Sequence, residues 1–290
     1  MKRILFVLAA ACSIMMLGSG CAAIITGEPI AEKNEFKDAS LPGVWLDRDK
    51  DIPFYVEDRG DRYIIYSPIN INGVPFTLTK IKSADNSKEL KFFCANITPM
   101  LKNDPDFPGG DVYFSNAYEC SGNKIMVYDL SEKSDLVKKL QTYYDKKQDK
   151  CIIQSAELKR LLSENMDAWQ KSKTLYWKAE FKNSRAGELC VAGIKFFSDY
   201  NSELMIIFDL WKKGKINAEQ AKQLKAELDA KMQAWRKKYA AANPELDKII
   251  AKYLPQIDAV FAGDKTKSIK NTVVKLNEEY WKKAVQELIK

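Results

Sequence analysis

The sequence predicts an α+β protein: an antiparallel β sheet or small barrel followed by a mainly α-helical C-terminal region. Three observations carry that reading. From Leu41 to Leu130 short runs of β-branched and aromatic residues alternate with turn signals. After Asp129 the apolar residues recur at helical spacing. The 290 residues, 46% hydrophobic, suffice for one large or two modest domains with a buried core.

Taken in order, Met1, Lys2 and Arg3 make a basic start, and Ile4–Leu17 is an apolar run of 14 residues. That is shorter than the ~20 residues a spanning helix needs, and it ends in small residues, the pattern of a secretory signal peptide over residues 1–20. The alternative is an uncleaved anchor running to about Ile25, interrupted by Gly18, Ser19 and Gly20.

The stretch Leu17-Gly18-Ser19-Gly20-Cys21 resembles the lipobox of bacterial lipoproteins, where a peptidase cuts before the cysteine and the thiol carries a diacylglyceryl group. That family prefers Leu, Val or Ile where Gly18 stands; Ser19 and Gly20 fit its pattern. The resemblance implies lipid attachment at Cys21, a membrane partner through an N-terminal lipid anchor, and a place in the cell envelope. Ala22, where aspartate would favour inner-membrane retention, implies the outer membrane facing the periplasm if the host is Gram-negative.

Residues 21–40 lack a sustained period and carry Gly27 and Pro29, so they read as a lipid-anchored tether. Residues 41–130 form the β-rich domain. Its runs are PGVWL, FYVED, RYIIYS, PFTLTKIK, ELKFFCANI, DVYFSNAYEC and KIMVYDL. Asn72-Gly73, Arg59-Gly60-Asp61 and Gly122-Asn123 supply the residues tolerant of positive φ that tight hairpins need, and a meander is the simplest topology. Gly43-Val44-Trp45, early in the first strand of this domain, resembles the Gly-x-Trp of lipocalin-like barrels. The resemblance implies a closed sheet with an apolar-ligand cavity.

Residues 131–290 read as mainly helical. Ser131–Ser134 looks like a helix start, followed by Leu136, Val137 and Leu140 at helical spacing. A second helix is expected from Ser155 to about Lys171, and residues 174–197 hold a candidate strand pair, TLYWKAEF and GELCVAGIKFF. Three further amphipathic helices are expected over Phe196–Lys213, 217–242 and 266–289. At one junction Gly214 can end a helix, Asn217 can cap the next, Gln220 can complete a capping box and Ile216 can act as its staple. Residues 203–230 around this junction resemble the short SHOCT-type helical hairpin, with its Gly-Lys-Ile turn.

Once Cys12 leaves with the leader and Cys21 takes lipid, Cys94, Cys120, Cys151 and Cys190 remain. An even number in an exported chain implies two disulfides with three possible connectivities. Neighbour pairing, Cys94–Cys120 and Cys151–Cys190, is favoured, each loop stabilising the fold by roughly 3–4 kcal/mol. Buried free thiols are the alternative.

The chemistry excluded is extensive. The chain has no histidine, which removes Ser-His-Asp and Cys-His hydrolases and nearly all catalytic zinc sites. No glycine-rich phosphate loop is present, so no nucleotide cofactor is expected. Ser121-Gly-Asn-Lys124 has Ser-x-x-Lys spacing, but its Gly-Asn centre reads as a turn, and no Lys-Thr-Gly accompanies it. Asp47-Arg-Asp49-Lys-Asp51 begins like a calcium loop, yet Ile52 takes the glycine position, and the acidic loop Asn103–Asp111 reads as irregular. No metal site is expected. The net charge of +7 is interleaved in sign and gives no nucleic-acid stripe.

No catalytic residue stands out. The expected function is therefore a non-catalytic binding or scaffolding role in the envelope, with a protein or apolar-ligand partner of unknown identity. The first alternative is a lipocalin-like carrier of an apolar ligand. The second is a histidine-independent hydrolase with two carboxylates ~5–10 Å apart in a cleft, for which the sequence nominates no pair.

Overall fold

A computed structural model describes residues 24–47, 51–68, 73–101, 109–131, 133–145, 147–148, 150–239, 243–263 and 268–290. Seven strands follow one another as a meander: β2 (Gly43–Asp47), β3 (Pro53–Asp58), β4 (Tyr63–Tyr66), β5 (Val74–Lys82), β6 (Glu89–Asn96), β7 (Tyr113–Ser121) and β8 (Lys124–Leu130). The eighth barrel strand, β11 (Trp169–Lys178), pairs antiparallel with both β8 and β2 and closes the ring. Three short strands lie outside it: β1 (Ile24–Thr26), antiparallel to β7, β10 (Lys150–Cys151), parallel to β1, and β9 (Tyr144–Asp145).

The turn chemistry works as expected where it can be seen. Ser121 pairs with Lys124 across Gly122, whose φ is +60°, so the Ser-x-x-Lys stretch is a tight hairpin. Gly60 (φ +86°) turns β3 into β4, its amide donating to Asp58 Oδ1 at 2.7 Å. Asn72 lies outside the described residues.

The period of two along each strand separates two faces. Inside the ring, Tyr63, Phe76, Phe93, Phe114 and Tyr118 are buried and in ring contact: Tyr63–Phe76 at 5.4 Å, Phe76–Phe93 at 6.3 Å, Phe93–Phe114 at 5.9 Å and Phe93–Tyr118 at 6.3 Å. On the other face Phe92, Cys94 and Ala117 join Tyr128 and Leu130 in a second core. Helices α2 (Asp135–Gln141) and α3 (Ser155–Glu164) cover it with Leu136, Leu140, Leu158, Leu161 and Leu162, and a short α1 (Thr98–Leu101) links β6 to β7. The Ser134 side chain caps α2 by accepting from Val137 N, as its sequence implies.

The chain divides into two compact units, the first holding residues up to 48, 56–65 and 74–178, the second residues 49–55, 66–73 and 179–290. In the second unit four helices, α4 (Ser184–Lys212), α5 (Ala218–Lys238), α6 (Pro244–Phe261) and α7 (Ile269–Leu288), bury an aromatic cluster. Phe196 stacks on Trp235 at 4.7 Å, and Phe197 meets Tyr280 at 4.5 Å and Trp281 at 5.9 Å. Gly193 lets α4 come close: a Cβ there would lie 3.0 Å from the Trp281 ring. The same unit holds Lys195 with its ammonium 5.1 and 5.0 Å from the ring centres of Tyr55 and Tyr66. Gly214 has a φ of +67°, and Asn217 with Gln220 forms the full capping box. The helix end, the cap and the capping box are as the sequence has them.

Three expectations are corrected and one helix is added. Residues 24–40 are no free tether: β1 is hydrogen-bonded into the sheet, Ile30 and Ala31 are buried, and Leu78 N bonds to Asn34 Oδ1 at 3.0 Å. Of the candidate strand pair, TLYWK is strand β11, but GELCVAGIKFF belongs to α4, where Ala186, Cys190, Gly193, Ile194 and Phe197 form one buried helical stripe. The helix begun at Ser155 stops at Glu164, and Trp169 already belongs to β11. Helix α6 was not expected; Asn243 caps it, accepting from Leu246 N, with Pro244 in its first turn.

The favoured disulfides are corrected as well. Cys94, Cys120, Cys151 and Cys190 are all free thiols. Cys94 stands opposite Ser115, five residues along β7 from Cys120, which at ~3.4 Å per residue is far beyond bonding reach. Cys151 donates its thiol to Leu140 O at 3.5 Å, and Cys190 is buried in the stripe of α4.

Candidate functional site

A buried polar constellation lies where β2 begins and β11 ends. Strand alternation brings Lys91 (β6), Tyr118 and Cys120 (β7), Tyr63 (β4) and Lys178 (β11) to this end of the barrel. The segment leading into β2 crosses them, with Asp38 at its centre. Asp38 is 6% exposed. Its Oδ2 accepts from Lys91 Nζ at 2.8 Å and from the Tyr118 hydroxyl at 3.3 Å; its Oδ1 accepts from Ser40 N at 3.3 Å and from Ser40 Oγ. The Asp38 amide donates to the Tyr63 hydroxyl at 3.1 Å, and Ser40 Oγ also lies 3.1 Å from Cys120 Sγ.

Each protonation state follows from these neighbours. Burial would raise the Asp38 carboxyl, but the hydrogen bonds from Lys91 and Ser40 and the Lys91 charge outweigh it and hold the carboxyl below its ordinary range. Burial, reinforced by the Asp38 charge, pushes the Tyr118 phenol far up. Burial likewise raises the Tyr63 phenol and the Cys120 thiol. The cluster is one fixed anion with the Lys91 ammonium against it and hydroxyl donors around them, and the Lys178 ammonium lies at its edge on Ser40 O.

Beside it stands the Gly-x-Trp. Trp45 is fully buried, its indole N–H donating to Leu41 O at 2.8 Å, and the Lys178 ammonium lies 5.5 Å from its ring centre while donating to Ser40 O at 2.9 Å. Gly43 has a φ of +132°, and a Cβ there would press within 3.0 Å of the Lys178 stem. Only glycine suits both demands. The sequence singled out Gly43 and Trp45; it missed Asp38, Lys91, Tyr118 and Lys178, of which Lys91 and Tyr118 face each other across β6 and β7 while Lys178 arrives with the closing strand.

The other nominated positions are dispersed. Cys21 lies outside the described residues, as do Asp49 of the calcium-like stretch and residues 103–108 of the second acidic loop. Cys94 and Cys190 are buried, and Cys120 and Cys151 are partly so. Burial raises all four thiols, that of Cys190 to about 12. Among the described residues no three acidic or cysteine side chains are grouped to hold a metal ion, and no helix is long and apolar enough to cross a membrane. The chain matches no known protein family, no curated protein and no solved structure.

Proposed function

We propose that this chain is a lipid-anchored lipoprotein of the cell envelope with a non-catalytic binding or scaffolding role. The observation that carries the reading is the position of Cys21, three residues before β1. At no more than ~3.6 Å per residue, a lipid on Cys21 would hold the barrel within about 11 Å of the acyl region. Two or three acyl chains bury at about 0.8 kcal/mol per methylene, which gives a stable anchor with no spanning helix.

The Asp38 cluster supports the non-catalytic half of the reading. A carboxyl held below its ordinary range and a phenol pushed far above its own do not exchange protons near neutral pH. Such a cluster suits a latch: it fastens the segment that follows the lipid to the barrel it must carry. The test is metabolic labelling with radioactive palmitate, comparing the native chain with Cys21→Ala. Label in the native chain and membrane sedimentation that survives high salt, both lost in the variant, support the reading; a native chain that takes up no label, or a Cys21→Ala chain that still sediments with membranes in high salt, overturns it.

A second reading, a carrier of an apolar ligand inside the barrel, is favoured by one observation: Gly43-Val44-Trp45 opens the first strand of a closed eight-stranded ring. Such a ring holds either its own side chains or one small ligand, and the buried rings from Tyr63 to Tyr118 speak for the former. Saturable binding of a fluorescent fatty acid, abolished by Phe93→Trp, would favour the carrier.

A further inference from the structure

The second unit carries a feature that the latch does not use. Helix α4 ends in Trp211-Lys212-Lys213-Gly214-Lys215, three exposed lysines within four residues. Lys213 pairs with Asp209 at 2.7 Å, while Lys212 and Lys215 have no carboxylate partner among the described residues. Next to them in the chain, Trp211 forms a triangle of rings with Phe208 and Phe261, 6.1, 5.9 and 5.8 Å between centres, and all three are only partly buried. Partly buried tryptophan and phenylalanine beside lysines with no carboxylate partner among the described residues are the groups that settle at a lipid headgroup layer.

Charge along the chain agrees. Residues 179–290 hold 21 Lys and Arg against 15 Asp and Glu, whereas residues 21–178 hold 23 against 24. The positive charge thus belongs to the helical unit. Lysines at a helix C-terminus also offset its dipole, but that role needs neither Lys215, beyond the helix, nor rings left partly open to water.

We infer that this tip of the α4–α5 hairpin is a docking surface for anionic phospholipid, the rings entering the headgroup region and Lys212 and Lys215 facing lipid phosphates. The inference rests on the reading that Cys21 carries lipid, since anchoring keeps a weak surface contact at high effective concentration. Each lysine near an anionic surface is worth about a fivefold change in partition.

The experiment uses the mature chain, residues 21–290, with Cys21→Ala, so that no acyl chain contributes. It is sedimented with vesicles of phosphatidylcholine alone and of phosphatidylcholine doped with phosphatidylglycerol. Expected is binding to the doped vesicles only, weakened roughly 25-fold by Lys212→Gln with Lys215→Gln and strongly by Trp211→Ala, and lost in high salt. Circular dichroism of both variants checks that the helices are intact. Equal binding by parent and lysine variant, no binding to doped vesicles, or equally tight binding to a DNA duplex or to polyglutamate overturns the inference. Because the tested chain lacks lipid, that failure leaves the palmitate result standing, and a failed palmitate experiment leaves this one interpretable.

Discussion

Replacing Asp38 by Asn tests whether the polar cluster at the barrel end is a latch. The change keeps volume and removes the charge that Lys91 contacts at 2.8 Å. Breaking a fully buried ion pair costs about 3–5 kcal/mol. The Lys91 side chain, however, is 31% exposed and can turn towards water once its partner is neutral. A loss of about 2–3 kcal/mol at pH 7 is therefore expected. The pH dependence has a definite sign. The Asp38 carboxyl titrates lower in the folded than in the unfolded chain, so its contribution is complete above about pH 4 and fades as pH falls through the folded value. Urea unfolding followed by tryptophan fluorescence should show the gap between parent and Asp38→Asn narrowing from pH 7 to pH 3. Lys91→Met should cost a similar amount, and the double variant less than the sum. A gap below about 0.5 kcal/mol at pH 7, or one that widens in acid, would refute the latch.

Three other outcomes are expected. Gly193→Ala, which would raise stability at an exposed helical position by up to ~1 kcal/mol, should instead lower it by about 1–2 kcal/mol, because the new methyl meets the immobile Trp281 ring at 3.0 Å; a raised melting temperature would contradict that packing. Thiol titration of the mature protein should find Cys94 and Cys190 unreactive until denaturant is added and Cys120 and Cys151 slow; a Cys94–Cys120 disulfide found by peptide mapping would contradict the strand register. Lys225, 5% exposed, bridges Asp229 at 2.6 Å and Asp258, and it lies over the Phe261 ring. Lys225→Ala should therefore cost about 2 kcal/mol and Lys225→Met, which keeps the apolar stem, clearly less; equal losses in chemical denaturation would show that the charge and not the stem matters.

The meander was legible because its information is local: alternation within each strand and, at turns such as those of Gly60 and Gly122, a glycine of positive φ. Ring closure was half legible. TLYWK reads as a strand, but nothing near it says that it pairs with β2, more than 120 residues earlier. The misreading of residues 187–197 has a particular cause. Val191 and the Phe196-Phe197 pair carry strand propensity, and Gly193 looks like a helix breaker until Trp281 explains it. Residues 24–40 showed no period because they are held by contacts with others: Thr77 Oγ1 donates to Ala31 O at 2.7 Å and Glu35 N to Leu78 O at 2.9 Å. Asp38 met the same limit. Its partners Lys91 and Tyr118 lie on other strands, and isolated charged and aromatic residues signal nothing alone; Gly43 and Trp45 were visible because glycine and tryptophan two apart are rare enough to notice.

The register in which β11 joins Asp47 to Tyr176 has a consequence for how the chain reaches its folded state. Until residue 178 is available, β2 and β8 are open edges whose unpaired amides and carbonyls can recruit any extended neighbour. The intervening residues 131–168 must be placed before the gap can be filled, so closure carries the entropy of a long loop and comes late. A chain cut after residue 168 would keep every strand of the meander and still lack a sealed sheet. Aggregation of that fragment at concentrations where the whole protein stays monomeric is what an unsealed ring entails.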